Sequence, residues 1–185
     1  MRAWVPLGLA AALACGGTDV GPDVGPEDFA LPPGAAPPVV TDASVYTLTK
    51  VPGGYDAFAE AVYANRTGRT VYYQRCVGDS EGPIHWLRRT GPDSTAPSFV
   101  GSAWACVGGV PTGRVRPGEV LSARVWLGST DSPQARPPIT PEERIGRFRV
   151  EFALCVRPEA DSDDCEQLPT PARESNALEV RFGSP

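Results

Sequence analysis

The chain has a single lysine, Lys50, and a single histidine, His85, and each scarcity removes a class of chemistry. All but one of the 17 basic side chains are arginines, scattered along a sequence with 22 acidic residues and a net charge of -5. A basic patch able to neutralise many phosphates is therefore absent, and nucleic acid is not an expected partner. One histidine cannot build a His-rich zinc site, and no two cysteines stand at C-x-x-C spacing, so no metal and no cofactor are expected. Long apolar runs are also missing. The run from Ala3 to Ala14 is broken by Pro6 and falls short of the about 20 residues that cross a hydrocarbon core. What the chain has in quantity is proline, 21 residues, and glycine, 20 residues, set between short β-rich runs.

Met1-Arg2, the apolar stretch to Ala14 and the small residues at its end have the layout of an export signal. Ala12-Leu13-Ala14-Cys15-Gly16 resembles the lipobox of bacterial lipoproteins, with Ala12 where leucine is usual and Leu13 one place later. The resemblance implies cleavage before Cys15, a diacylglyceryl thioether on its sulfur and a membrane partner reached through that lipid. Two or three acyl chains hold a protein to a membrane, at about 0.8 kcal/mol for each buried methylene. Gly16 rather than Asp after the cysteine implies, by the sorting rule of such lipoproteins, the outer membrane. Ordinary signal cleavage near Ala14 is the alternative.

Five cysteines are an odd number until Cys15 is assigned to lipid. Cys76, Cys106, Cys155 and Cys165 then form an even set, and export places them where thiols pair. Three pairings are possible; Cys76 with Cys106 and Cys155 with Cys165 joins sequence neighbours.

Residues 1–14 read as signal peptide and 15–42 as a lipidated, disordered tether. The tether carries Asp19-Val20-Gly21-Pro22, then Asp23-Val24-Gly25-Pro26, then two Pro-Pro pairs. Residues 43–185 read as one folded domain. Strands are expected at Val45 to Lys50, Ala57 to Asn65, Thr70 to Cys76, Ile84 to Arg89, Phe99 to Cys106, Val120 to Leu127, Gly146 to Val156 and Ala177 to Phe182. Short strands with turn signals between them predict an all-β sandwich. In Arg147 to Val156, strict alternation places Phe148, Val150, Phe152, Leu154 and Val156 inward and Cys155 outward. Leu121, Ala123, Val125 and Leu127, with Leu178, Val180 and Phe182, extend the expected core.

Tyr63-Ala64-Asn65-Arg66-Thr67-Gly68-Arg69-Thr70-Val71, Pro117-Gly118-Glu119-Val120, Gly146-Arg147-Phe148-Arg149-Val150 and Ser175-Asn176-Ala177-Leu178-Glu179-Val180 together resemble bacterial immunoglobulin-like domains. They are most similar to the BsuPI-type intracellular proteinase inhibitor domain, over about residues 55 to 182. The resemblance implies an immunoglobulin-like sandwich of about seven to eight strands. Inhibitor activity is not carried over, because no reactive-site residue matches and this chain is exported and cysteine-bearing.

Three readings of function follow. The first is a non-enzymatic, lipid-anchored envelope protein that binds another envelope protein or supports envelope structure. The second is a proteinase inhibitor presenting Gln134-Ala135-Arg136 from the proline-rich loop Gly128 to Arg144, with a protease as partner. A stiff connection between strands explains the same loop. The third is an enzyme. Gly78-Asp79-Ser80-Glu81-Gly82 fits the pattern of a nucleophile elbow, yet Gly82-Pro83 leads into another β-rich run where that device needs a helix. The cluster Asp161, Asp163, Asp164 and Glu166 lacks the glycine and distal glutamate of a calcium loop and reads as a solvated turn. No catalytic residue is therefore assigned. Trp86, Trp104 and Trp126 suit core or disulfide packing or, if exposed, stacking on a ligand.

Overall fold

The computed structural model describes residues 24–76, 82–91, 99–100, 112–130, 140–158 and 165–183. Its strands, in chain order, are β1 (Val39–Thr41), β2 (Val45–Val51), β3 (Gly54–Asp56), β4 (Phe58–Ala64), β5 (Val71–Gln74), β6 (His85–Arg89), β7 (Phe99–Val100), β8 (Thr112–Val115), β9 (Val120–Trp126), β10 (Ser129–Thr130), β11 (Gly146–Phe152), β12 (Leu154–Cys155) and β13 (Leu178–Phe182). A short α-helix, α1 (Pro141–Arg144), is capped by Thr140, whose hydroxyl accepts from the Glu143 amide. The fold is all-β, as the alternating runs and turn residues predict.

One layer orders its strands β1-β4-β9; a second runs β10-β3-β2-β13-β11-β6-β7, and β12-β5-β8 form a third set. Strands β5 and β6 are two halves of one strand. Tyr73 faces Leu154 and His85 faces Phe152, so both halves run antiparallel to the same partner segment. Where the halves meet, the Gln74 and Ala153 amides donate to Ala153 and Ile84 oxygens at 3.0 and 2.8 Å. The Ile84 amide also donates to the Gln74 carbonyl at 2.7 Å, so these two residues adjoin within the sheet, where sequence alone suggests separate strands. Within the second layer β2 pairs parallel with β13 and then antiparallel with β3, around a turn at Pro52 and Gly53. Gly53 has φ +83, a left-handed value that a side chain would strain.

The core lies between the layers. Val39, Ala59, Ala61, Tyr63, Leu121, Ala123 and Val125 meet Leu48, Leu87, Phe148, Val150, Phe152, Leu178 and Val180 in one cluster. This follows the period-2 pattern of each strand. Phe182, expected in the core, is 41% exposed and instead packs its ring 5.1 Å from Tyr55.

Two expectations need correction. The tether does not reach residue 42: Phe29 and Val39 are buried in the core, and β1 pairs with β4 through Val39 opposite Tyr63. Van der Waals contact with an existing apolar layer outweighs the local proline content here. Residues 15–23 lie outside the described residues. Nor is Cys155 on an open face. It is fully buried, because the returning chain fills the edge of β11 and β12 that β13 leaves unpaired. Phe152 and Val156 amides donate to Arg173 and Glu166 oxygens, and Leu168 and Ser175 amides donate to Leu154 and Val150 oxygens, at 2.8 to 3.0 Å.

Candidate functional site

Cys155 and Cys165 are joined by a disulfide, the pairing expected from their proximity in sequence. Cys76 is also disulfide-bonded, and its partner lies outside the described residues. Cys15, Cys106 and the loop residues Gln134, Ala135 and Arg136 lie outside them too, as do Ser80, Trp104 and the acidic residues at 161–164.

His85 is described and buried. Its strand turns His85 and Leu87 to the core side and Trp86 toward the outer face, where it is half-buried. Nδ1 lies 3.0 Å from the Pro83 carbonyl, and the ring centroid is 6.3 Å from that of Phe152. Burial pushes its pKa down, partly opposed by that carbonyl. Trp126 is half-buried and donates Nε1–H to Asp56 Oδ1 at 2.7 Å, while the buried Arg144 guanidinium sits 5.4 Å from its ring. Burial holds Arg144 down to about 10, against the opposing effect of Glu143. This tryptophan is a structural anchor between β3, β9 and α1.

The described residues bring a different set of charges together on the outer side of β6 and β11. Arg88 and Arg149 stand directly opposite each other in the ladder, and Glu151 stands opposite Trp86. Like charges at such positions repel. The returning chain supplies the compensation: Glu174 reaches across β11, its Oε1 2.5 Å from Arg88 Nη1 and its Oε2 3.9 Å from Arg149 Nη1. Arg149 Nη1 also donates to the Ser175 carbonyl at 2.9 Å. Arg173 pairs with the buried Glu151 and donates through Nε to the Leu168 carbonyl at 2.9 Å. Desolvation pushes the Glu151 carboxyl above its ordinary value, with Arg173 opposing and Glu174 adding to the rise. Arg149 and Glu151 are visible in sequence as outward residues of one strand. Their partners were missed because nothing local says that Arg173-Glu174-Ser175 returns beside them.

Two grooves flank the segment from Leu31 to Pro38. One, of about 760 Å³, lies between Phe29, Leu31, Tyr63, Arg69 and Leu168. The other, of about 1030 Å³, opens over Arg88, Arg89 and Arg149. Among the described residues no group of His, Cys, Asp and Glu is arranged to hold a metal ion, and no helix is long and apolar enough to cross a membrane. Compared with known proteins, the chain matches no family model, no curated protein and no solved structure.

Proposed function

We propose that this chain is a non-enzymatic cell-envelope lipoprotein. Cys15 carries the lipid, and an immunoglobulin-like sandwich, held off the outer membrane by a short acidic tether, binds another envelope protein. The observation that carries the reading is the signal ending in Leu13-Ala14-Cys15-Gly16. Disulfides at Cys76 and at Cys155 with Cys165 support it, because such bonds persist in compartments reached by export. The charged side chains on the outer face of β6 and β11 support binding over catalysis: they are matched arginine and glutamate pairs that position a surface rather than a nucleophile with its base.

The test is Cys15→Ser. With the native residue the protein should incorporate radiolabelled fatty acid and partition into the membrane fraction; the variant should do neither. A variant that remains lipid-labelled and membrane-bound would overturn the anchor. Crosslinking in intact cells, followed by mass spectrometry, should then recover one reproducible envelope protein; an empty result at native abundance would remove the binding role.

A further inference from the structure

We propose that the groove over Arg88, Arg89 and Arg149 is the binding surface itself, and that its occupant is an extended acidic segment of the partner protein. This deepens the binding-module reading and rests on it.

The groove has an uneven lining. Three guanidiniums and one carboxylate, Glu174, leave two net positive charges in a chain whose overall charge is -5. Arg88 and Arg149 keep 41% and 38% of their side-chain surface exposed, whereas Glu174 keeps 12%. The cations therefore face solvent while the anion is largely covered. Opposite them stands a wall of Leu31, Pro32, Pro33 and Pro37, apolar and stiffened by fixed proline φ angles. Such a groove, cationic along one side and apolar along the other, fits an extended strand whose alternate residues are acidic and aliphatic.

The chain already shows the mode of recognition. Its own segment at Glu174 lies antiparallel to β11, with Glu174 bridging to Glu151, and its carboxylate sits between Arg88 and Arg149. A guanidinium carries five N–H donors in a fixed fork, and the bonds of Arg88 to Glu174 and of Arg149 to the Ser175 carbonyl engage Nη1 of each. The Nη2 and Nε donors can then take a second carboxylate bidentately, which a lysine could not do. Arg89 is held at the end of the groove by bonds from Nη1 and Nη2 to the Ile145 and Glu143 carbonyls, at 2.9 and 2.7 Å. Those acceptors are neutral, so its charge is not cancelled by them.

The probe is a fluorescein-labelled, amidated peptide of alternating glutamate and valine, titrated with the detergent-extracted full chain and read by anisotropy. It should bind saturably at low salt and weaken as salt screens the charges. Arg88→Gln with Arg149→Gln should weaken binding by about tenfold or more, the loss of charge-assisted bonds. Arg124→Gln, on the β9 side of the molecule, should leave it unchanged. Because the double variant also strips partners from Glu174, a second variant, Ala35→Glu, places a carboxylate on the exposed wall without touching that network; it should weaken binding as well. No saturable binding at low salt, or equal binding by wild type, the double variant and Ala35→Glu, would overturn the proposal. Tighter binding of polygalacturonate through the same arginines would also overturn it, by assigning the groove to an acidic glycan. A partner captured in cells by a chain that ignores the peptide leaves the envelope-binding reading standing and removes only this one.

Discussion

At the scale of single residues, the polar side chains that matter most are buried ones. Asn65 reads in sequence as a turn former, yet it is 1% exposed and joins three segments. Its Nδ2 donates to the Arg69 and Val115 carbonyls at 2.9 and 2.8 Å, and its Oδ1 accepts from the Thr67 amide and hydroxyl at 3.0 and 2.6 Å. Asn65→Ala strands the buried Val115 carbonyl, while the Arg69 carbonyl keeps the Thr67 hydroxyl, at a cost of about 1 to 3 kcal/mol. Urea denaturation should show that loss, and a change below half a kilocalorie would contradict the role assigned to this side chain. His85 makes a second prediction, with a definite sign. Its folded pKa lies below the ordinary 6.5, so the unfolded chain binds the proton more readily. Its contribution to stability is complete above pH 6.5 and is lost as pH falls from there through the folded pKa, with a slope limited to about 1.4 kcal/mol per pH unit. Glu151, whose pKa is raised, contributes with the opposite sign, so the difference between the protein and His85→Gln isolates the histidine. Since His85 is the only histidine, its ring protons also give one uncontested NMR titration curve. Parallel pH profiles for protein and variant would sink this account.

At the scale of elements, the disulfide at Cys155 does something that its strand alone does not explain. It ties β12 to the chain that returns along the open edge of β11, and that return delivers Arg173 and Glu174 to their partners. Closing a loop of sequence separation 10 is worth about 2.7 kcal/mol on the chain-entropy estimate. Replacing Cys155 and Cys165 together by alanine should cost about that much. It should also raise hydrogen exchange at the Phe152, Val156 and Leu168 amides, which are bonded across this edge; unchanged exchange there would show that the return holds itself in place. The limits of sequence reading have the same origin. Every strand with clear alternation, from Val45 to Val51 through Leu178 to Phe182, is legible because period-2 burial is written locally. The short pieces β3, β8 and β10 carry too few residues to show a period, and their pairing is set by neighbours distant in sequence. The charge cluster at Arg88, Arg149, Glu151, Arg173 and Glu174 is half legible for that reason: its outward residues on β11 can be read, while the return that completes it cannot.

For the molecule as a whole, the question is where the folded body begins. Proline pairs at 32–33 and 37–38 make residues up to 42 look like tether, yet this stretch is bound at several points. Phe29 is 2% exposed and Val39 is fully buried; burying side chains of this kind is worth about 1.5 to 3 kcal/mol each. Strand β1 adds ladder bonds to β4, and Thr41 exchanges two hydrogen bonds of 2.9 Å with the Asn176 side chain, which fastens the start of the chain to the approach to β13. These terms together reach roughly 5 kcal/mol, on the order of the whole net stability of a domain. A chain beginning at Val24 should therefore melt as the full-length protein does, while one beginning at Ala43 should unfold far lower or fail to fold. With the proposed lipid on Cys15, only residues 15–23 would separate the anchor from the body, and the domain would be held close to the lipid surface rather than at the end of a long leash. Thermal melts and limited proteolysis of the two shortened chains decide the matter. Equal melting temperatures would mean that residues 24–42 ride on a sandwich that is complete without them.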